Sequence, residues 1–288
     1  MKLLKLLLPV SVILCVAVSI SGVSFSSCNK TAKTDTLTII KNDTLIKNDT
    51  LVQLDTVYCL NCGLVAYYNF NNGNLNDSSG NGNNITFNNA TPTADRFGNP
   101  NNAYLFNGTS NYMSVPNSPS LNPNSITLFA IFKPNGFYSI QCHGNNIVQK
   151  GAYDNEDGYY ALRFNDTLDN CSNPVDTAHE FVGGAYGDDV NFGAYSVALA
   201  PYIPIHTGTW YVVAYTYDGT ASRFYVNGVL AQTRVKSDAF TPNTDDLFIG
   251  YDPNVGGEYW LNGVIDEIRI YNQALCPGAI AQLSSQTK

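Results

Sequence analysis

The sequence predicts an all-β fold of antiparallel strands, and three observations predict it. The first is alternation. Tyr211, Val213, Tyr215 and Tyr217 alternate with Val212, Ala214 and Thr216, and a period of two places successive side chains on opposite faces of a strand. The second is turn chemistry. Asp218-Gly219 ends that run and Asn227-Gly228 ends the next, Phe224 to Val226. Both dipeptides suit type I′ hairpin turns, in which both central residues need positive φ. At least three antiparallel strands therefore lie side by side between Trp210 and Asn272. The third is composition: rich in Tyr, Phe, Asn, Gly and Thr, poor in Lys, Glu and Met, a balance that favours strands and turns over helices.

A chain of 288 residues fits one large β domain with an N-terminal extension, since such domains commonly run to about 200–250 residues and bury a sizeable core. The formal net charge of −8 argues against nucleic-acid binding, which needs a basic face.

Residues 1–27 read as a targeting segment. Lys2 and Lys5 supply a positive start and Leu6 to Ile20 an apolar run. Ser26 and Ser27 place small residues before Cys28. This resembles the signal of a bacterial lipoprotein, cut before Cys28 and lipidated on its sulfur, although Phe25 stands where Leu is usual. An ordinary secretory signal or an uncleaved anchor is the alternative, because the run is long enough to span a bilayer. The lipoprotein reading places the protein outside the cytoplasm, held to the membrane at the bacterial cell surface or outer membrane. Lasting attachment takes at least two membrane signals, such as two acyl chains.

Residues 28–62 read as a stalk, with a stacked β assembly between chains as the alternative. Lys41-Asn42-Asp43-Thr44-Leu45-Ile46 recurs as Lys47-Asn48-Asp49-Thr50-Leu51-Val52. A repeat of six fits an extended register, whereas on a helix it would turn the two leucines to different faces. Fully extended, this segment would reach about 110 Å at ~3.3 Å per residue.

Residues 63–288 form the predicted domain. Its opening stretches are Leu64 to Phe70 (LVAYYNF), Asp77 to Asn83 (DSSGNGN) and Ala103 to Val115 (AYLFNGTSNYMSV). Its second half runs W-(hydrophobics)-Y-D-G, F-Y-V-N-G, L-F-I-G, then L-N-G-V-I-D-E-I-R-I-Y-N-Q-A-L. Val264 to Tyr271 reads as a further strand, entered through Asn262-Gly263. In this order the motifs resemble a laminin-G-like (LamG) domain of the concanavalin A-like lectin/glucanase superfamily, over about residues 63–284. The resemblance implies a two-sheet antiparallel jelly-roll sandwich, often calcium-bearing and used to bind glycans or other proteins.

Seven cysteines are present. Cys15 goes with the signal and Cys28 is the lipidation candidate. The rest belong to an exported chain, in which disulfides persist. Cys142 and Cys171 bracket two strand-like runs, Asn146 to Lys150 and Gly158 to Asn165, and are expected to pair. In a jelly roll of the resembled family the terminal strands are neighbours, which implies that Cys276 meets Cys59 or Cys62. A Cys59–Cys62 bridge is the alternative.

The oxygen-rich loop holding Asp77, Asn81 and Asn83 suits a hard cation. Asp266 alternates in phase with Val264, Ile268 and Ile270, which predicts a buried carboxylate in need of a partner. A structural calcium shared by Asp77, Asn81, Asn83 and Asp266 is one partner; hydrogen bonds within the protein are the other.

Glycanase relatives carry E-x-D-x-E or E-x-D-x-x-E on one strand. Glu156, Glu180, Glu258 and Glu267 are the only glutamates, and none begins such a motif, so no catalytic residue is assigned. Binding is expected from loops that mix rings with carboxylates and amides: Tyr153, Asp154, Asp157 and Tyr159, then Tyr186, then Asp252 and Trp260. Rings cover the apolar face of a sugar while Asp and Asn fix its hydroxyls. Trp210 is expected to pack. The function read from the sequence is a surface-anchored, non-catalytic glycan-binding module; binding of an extracellular protein partner is the first alternative, and a glycanase of the same superfamily, through a spatial pair such as Glu156 with Asp188, is the second.

Overall fold

A computed structural model describes residues 58–137, 144–151, 160–165, 180–185, 189–192, 205–235, 242–253 and 259–286. In chain order the strands are β1 (Leu64–Tyr68), β2 (Phe87–Asn88), β3 (Thr91–Thr93), β4 (Ala103–Asn107), β5 (Met113–Val115), β6 (Ile126–Pro134), β7 (Gly144–Lys150) and β8 (Tyr160–Asn165). They continue with β9 (Glu180–Ala185), β10 (Asp189–Phe192), β11 (Tyr211–Tyr217), β12 (Ala221–Val226), β13 (Val229–Val235), β14 (Leu247–Ile249) and β15 (Asn262–Tyr271). One helix, α1 (Pro277–Gln286), follows.

These strands form two antiparallel sheets packed as a jelly-roll sandwich. The back sheet has eight strands in the order β13-β12-β11-β6-β15-β4-β3, with β1 pairing β15. The front sheet has seven, in the order β10-β9-β8-β7-β14-β5-β2. Between them lies a core with Tyr68, Phe106, Phe132, Phe164, Tyr215 and Phe224 among its larger side chains. A second cluster covers the outside of the back sheet, where Phe129, Ile131, Val212 and Tyr225 pack against Leu275, Ile280 and Leu283 around α1. Strand β11 is therefore buried along its whole length: its alternate residues face two different apolar layers.

The expected meander is present as β11, β12 and β13. Its two turns differ. Asn227 and Gly228 both have positive φ, 51° and 83°, as a type I′ turn requires. In the first turn only Gly219 does, at 90°. Asp218 precedes it, and its carboxylate accepts from the Thr220 and Ala221 backbone N–H groups and from Arg223. Asn262-Gly263 is not a turn but the start of β15. A Cβ at Gly263 would lie 2.7 Å from the Lys133 carbonyl oxygen, so this glycine permits a close approach of β15 to β6.

Packing also moves the expected domain boundary. Tyr58 and Leu60, assigned to the stalk, belong to the cluster around α1. The Tyr58 N–H donates to Gln282 Oε1 at 3.1 Å, and the Leu60 carbonyl accepts from the Tyr271 hydroxyl at 2.9 Å. Too few apolar residues mark this stretch for its packing to be legible in sequence. Residues 1–57, with the expected signal, Cys28 and the repeat, lie outside the described residues. Among the described residues no helix is long and apolar enough to cross a membrane.

Candidate functional site

The front sheet carries an aromatic platform on its outer face. Strand β14 alternates: Leu247 and Ile249 enter the core while Phe248 faces out. Phe248 stands opposite Ser114 of β5, and Ser114 opposite Phe87 of β2. Residues directly opposite in antiparallel strands share a face, so Phe87, Ser114 and Phe248 form one outward row. On the other side of Phe248 the row continues to Gln149 and Ala161. Gln149 accepts from the Asn146 amide at 2.6 Å and donates to the Gly151 carbonyl at 3.1 Å. Asn146, Gln149 and Ala161 are fully buried, so the accessible part of the row runs from Phe248 through Ser114 to Phe87.

Gly250 brings two further rings to this face. Its φ of 81° interrupts the β alternation, and a Cβ there would lie 2.3 Å from the Phe106 ring. With Gly250 turned to the core, Tyr251 emerges outward beside Phe248, their centroids 6.2 Å apart. The strand returns at Tyr259 to Leu261, held by backbone bonds from Asp252 N to Tyr259 O and from Leu261 N to Gly250 O. Tyr251 and Trp260 face each other across this stem and stack at 3.9 Å, with 18° between their planes. Tyr112 touches the whole group, 4.6 Å from Phe87, 5.6 Å from Tyr251 and 6.0 Å from Trp260. Phe87 is 41% exposed; Tyr112, Phe248, Tyr251 and Trp260 are half-buried.

An acidic rim borders the platform. Thr244, Asp245, Asp246, Gly151, Pro253 and Phe248 line a depression of about 340 Å³. Lys150 holds the rim in place. At the end of β7 its ammonium donates to Asn122 Oδ1 at 3.1 Å, to the Asn243 carbonyl at 3.3 Å and to Asn243 Oδ1. Burial lowers the Lys150 pKa to about 8, against the opposing pull of Asp245 and Asp246. Asp246 is fixed further by the Asn117 N–H at 2.9 Å. The result is a set of flat rings beside exposed oxygen acceptors.

A laminin-G family profile of the concanavalin A-like lectin/glucanases superfamily matches residues 107–281, more than half of the chain. The chain belongs to that superfamily. No curated protein matches it. Among solved structures, domain 4 of AbnA, a GH43 extracellular arabinanase from Geobacillus stearothermophilus solved with arabinotriose, is 22% identical. That alignment has a TM-score of 0.50 and covers 77% of this chain and 98% of that one. The binding domain of Paraclostridial Mosquitocidal Protein 1 is 16% identical, with a TM-score of 0.56, covering 80% of this chain and 53% of that one. The binding domain of botulinum neurotoxin DC, solved in complex with SialylT, is 14% identical, with a TM-score of 0.54, covering 80% and 53%. The chain spans about half the length of these toxin fragments. At such identities the likeness is one of fold.

In this lectin/glucanase-superfamily chain the expected site residues fall in different places. Trp260 lies in the platform. Asp252, expected to meet ligand, is fully buried, because the reset at Gly250 that turns Tyr251 outward turns Asp252 inward. Tyr153, Asp154, Asp157, Tyr159 and Tyr186 lie outside the described residues. Phe87, Tyr112, Phe248, Asp245 and Asp246 were missed. The available signal was Phe248 as the middle residue of the short run LFI, outward by period two; the pairing that joins it to Phe87 and Tyr112 spans distant parts of the sequence.

The expected calcium set does not fit the structure as one site. Asp77 Oδ1 accepts from the Tyr67 and Ser79 N–H groups, at 2.9 and 2.8 Å. Its Oδ2 accepts from the Ser79 hydroxyl at 2.8 Å and the Asn83 N–H at 3.0 Å. Asn81 and Asn83 donate their amides to the Val65 carbonyl. Asp266 belongs to another network: Oδ2 meets Arg96 Nη1 at 2.7 Å and the Arg96 N–H at 3.0 Å. Among the described residues no group of three or more His, Cys, Asp or Glu side chains is arranged to hold a metal ion.

The face assigned to Asp266 is corrected too. A β-bulge sits between Ile265 and Glu267: Ile265 pairs with Phe132, Glu267 with Ile131, and Asp266 is the extra residue. The bulge breaks period two. Ile265, rather than Val264, joins Ile268 and Ile270 in the core. Asp266 is buried as expected, but its partner is Arg96.

The pairing of Cys276 with Cys62 is likewise overturned, because Cys62 is bonded to Cys59 with Cα atoms 5.4 Å apart. The order Cys-Leu-Asn-Cys allows a local turn that brings the sulfurs together, and the Cys62 N–H bonds the Cys59 carbonyl. Cys276 is disulfide-bonded, to neither of these two. Cys142 and Cys171 lie outside the described residues.

Proposed function

We propose that the protein is a surface-anchored, non-catalytic module that binds a glycan on the platform of Phe87, Tyr112, Phe248, Tyr251 and Trp260. The observation that carries this reading is the Tyr251–Trp260 stack with Tyr112 against it, beside exposed Asp245 and Asp246. Rings present flat apolar surface to the C–H face of a sugar, and the carboxylates accept from its hydroxyls. The arabinotriose and SialylT complexes of the fold relatives support a saccharide as the ligand class. The non-catalytic reading rests on the sequence, in which no glutamate begins the paired-carboxylate motif of the glycanases. Hydrolysis ordinarily needs two carboxylates facing the scissile bond. A single shallow site binds weakly, so many anchored copies would act together.

A glycan array on the full chain tests the reading. Phe87→Ala, at an exposed position, should reduce retention on the bound glycan about tenfold, or roughly 1.4 kcal/mol, with an unchanged melting curve. Undiminished binding by this variant and by Trp260→Ala would place the ligand elsewhere. A second reading rests on the edge strand β13, where Val229, Leu230 and Val235 are 69%, 44% and 88% exposed. An apolar sheet edge suits pairing with a protein partner, and capture of a protein with no glycan bound would favour adhesion.

A further inference from the structure

The back sheet has its own groove, of about 370 Å³, between β15, the end of β1 and the loop before β4. That volume lies in the roughly 300–1,000 Å³ range of small-ligand sites. Its floor comes from Glu267 and Arg269, which face away from the core because Ile268 and Ile270 face into it. Each of its two arginines lies over a ring, Arg96 at 4.6 Å from the Phe97 centroid and Arg269 at 4.2 Å from that of Tyr67.

The charges of this groove are engaged with one another. Arg96 meets Asp266 at 2.7 Å and Arg269 meets Glu267 at 2.6 Å. The third carboxylate, Asp95, takes the Phe97 and Asn99 N–H groups at 2.8 Å and the Asn99 amide at 2.9 Å. Hydrogen-bonded, paired charges give neither a phosphate nor a carboxylate a free cation, and give a metal ion no open carboxylate. The most exposed groups of the groove are neutral: the Phe97 ring, 59% exposed, and the exposed side-chain amides of Asn71 and Gln286, while Asp95, Arg96 and Arg269 are half-buried. Of the large apolar side chains exposed among the described residues, the two aromatics are Phe87 and Phe97. One stands in each site.

We infer that the back-sheet groove is a second saccharide site, selective for uncharged oligosaccharides, which makes the module two-faced. Its ring packs against the sugar's C–H face while the amides bond its hydroxyls, and no ionic contact contributes. The site is independent of the platform, so either can fail without the other.

The test is amide-resolved NMR on the full chain with arabinotriose, xylotriose and cellotriose, and sialyllactose as the charged comparison. At least one neutral trisaccharide should shift the Asn71, Asn99 and Gln286 side-chain amides. Phe97→Ala should weaken that response about tenfold, with an unchanged melting curve, while Phe87→Ala should leave it intact. The platform is read separately from the Trp260 indole N–H. Back-groove amides that stay still with all three neutral sugars would overturn the inference. So would a response that persists in Phe97→Ala, or that sialyllactose matches. A moving indole with still amides would leave the platform standing and remove this site alone.

Discussion

Arg96 closes on Asp266 at 2.7 Å, at the residue that the bulge in β15 leaves without a partner in β6. The loop before β4 is thereby pinned to a central strand. Burial pushes the Asp266 carboxyl above its ordinary range, and Arg96 draws it back. Removing one member of a buried pair strands the other. Arg96→Met should therefore cost about 2–4 kcal/mol in urea unfolding. Adding Asp266→Asn should recover part of that loss, since an amide has no charge to desolvate. The single variant's deficit should also shrink as pH falls and Asp266 takes up a proton. An equal deficit in single and double variants would mean that Arg96 acts by packing alone.

Lys150 gives a second pH signature, in the alkaline range. Its folded pKa is lowered from 10.5 to about 8, by burial first and against Asp245 and Asp246. Between those values the unfolded chain holds a proton that the folded chain has released. Stability from this group therefore rises as pH increases through that window. Wild type minus Lys150→Met isolates the effect from tyrosine ionisation. The difference in unfolding free energy should move in favour of wild type from pH 8 to pH 10 and stay flat below pH 7. A flat difference across the whole range would mean that the amine is solvated.

Gly250 sets the direction of Tyr251. An alanine there would keep a left-handed φ, at about 1–2 kcal/mol, and would press its Cβ into Phe106, at about 1–3 kcal/mol for overpacking. Gly250→Ala should lose about 2–4 kcal/mol in chemical denaturation and weaken glycan retention more than Phe87→Ala does. Wild-type stability in this variant would show that the turn is not held by the Phe106 contact.

Anchoring through Cys28 makes a separable prediction. Cys28→Ala should move the protein from the membrane fraction to the soluble one, and wild type should carry acyl chains by mass spectrometry. Continued sedimentation of the variant, with no lipid on wild type, would make residues 6–20 the anchor.

Strand identity and the hairpin at Asn227-Gly228 were legible in sequence because both are local: side-chain period and positive φ act over a few residues. The superfamily was legible for a related reason, since the ordered motifs of β11 to β15 are contiguous. Position along the chain could not decide which side chains meet. The Asp266 parity failed because a bulge is set by pairing with β6, a strand more than a hundred residues earlier. Asp252 turned inward because Gly250 adopts a left-handed conformation against Phe106, a contact no local pattern contains. Phe87, Tyr112, Phe248 and Trp260 became one surface only through the pairing of β2, β5 and β14 and the stem beyond β14. Likewise Arg96 reached Asp266 only once β3, β4 and β15 lay side by side. Periodicity is a property of one strand; a site is a property of several, and the free energy that selects their register is the burial of a shared core.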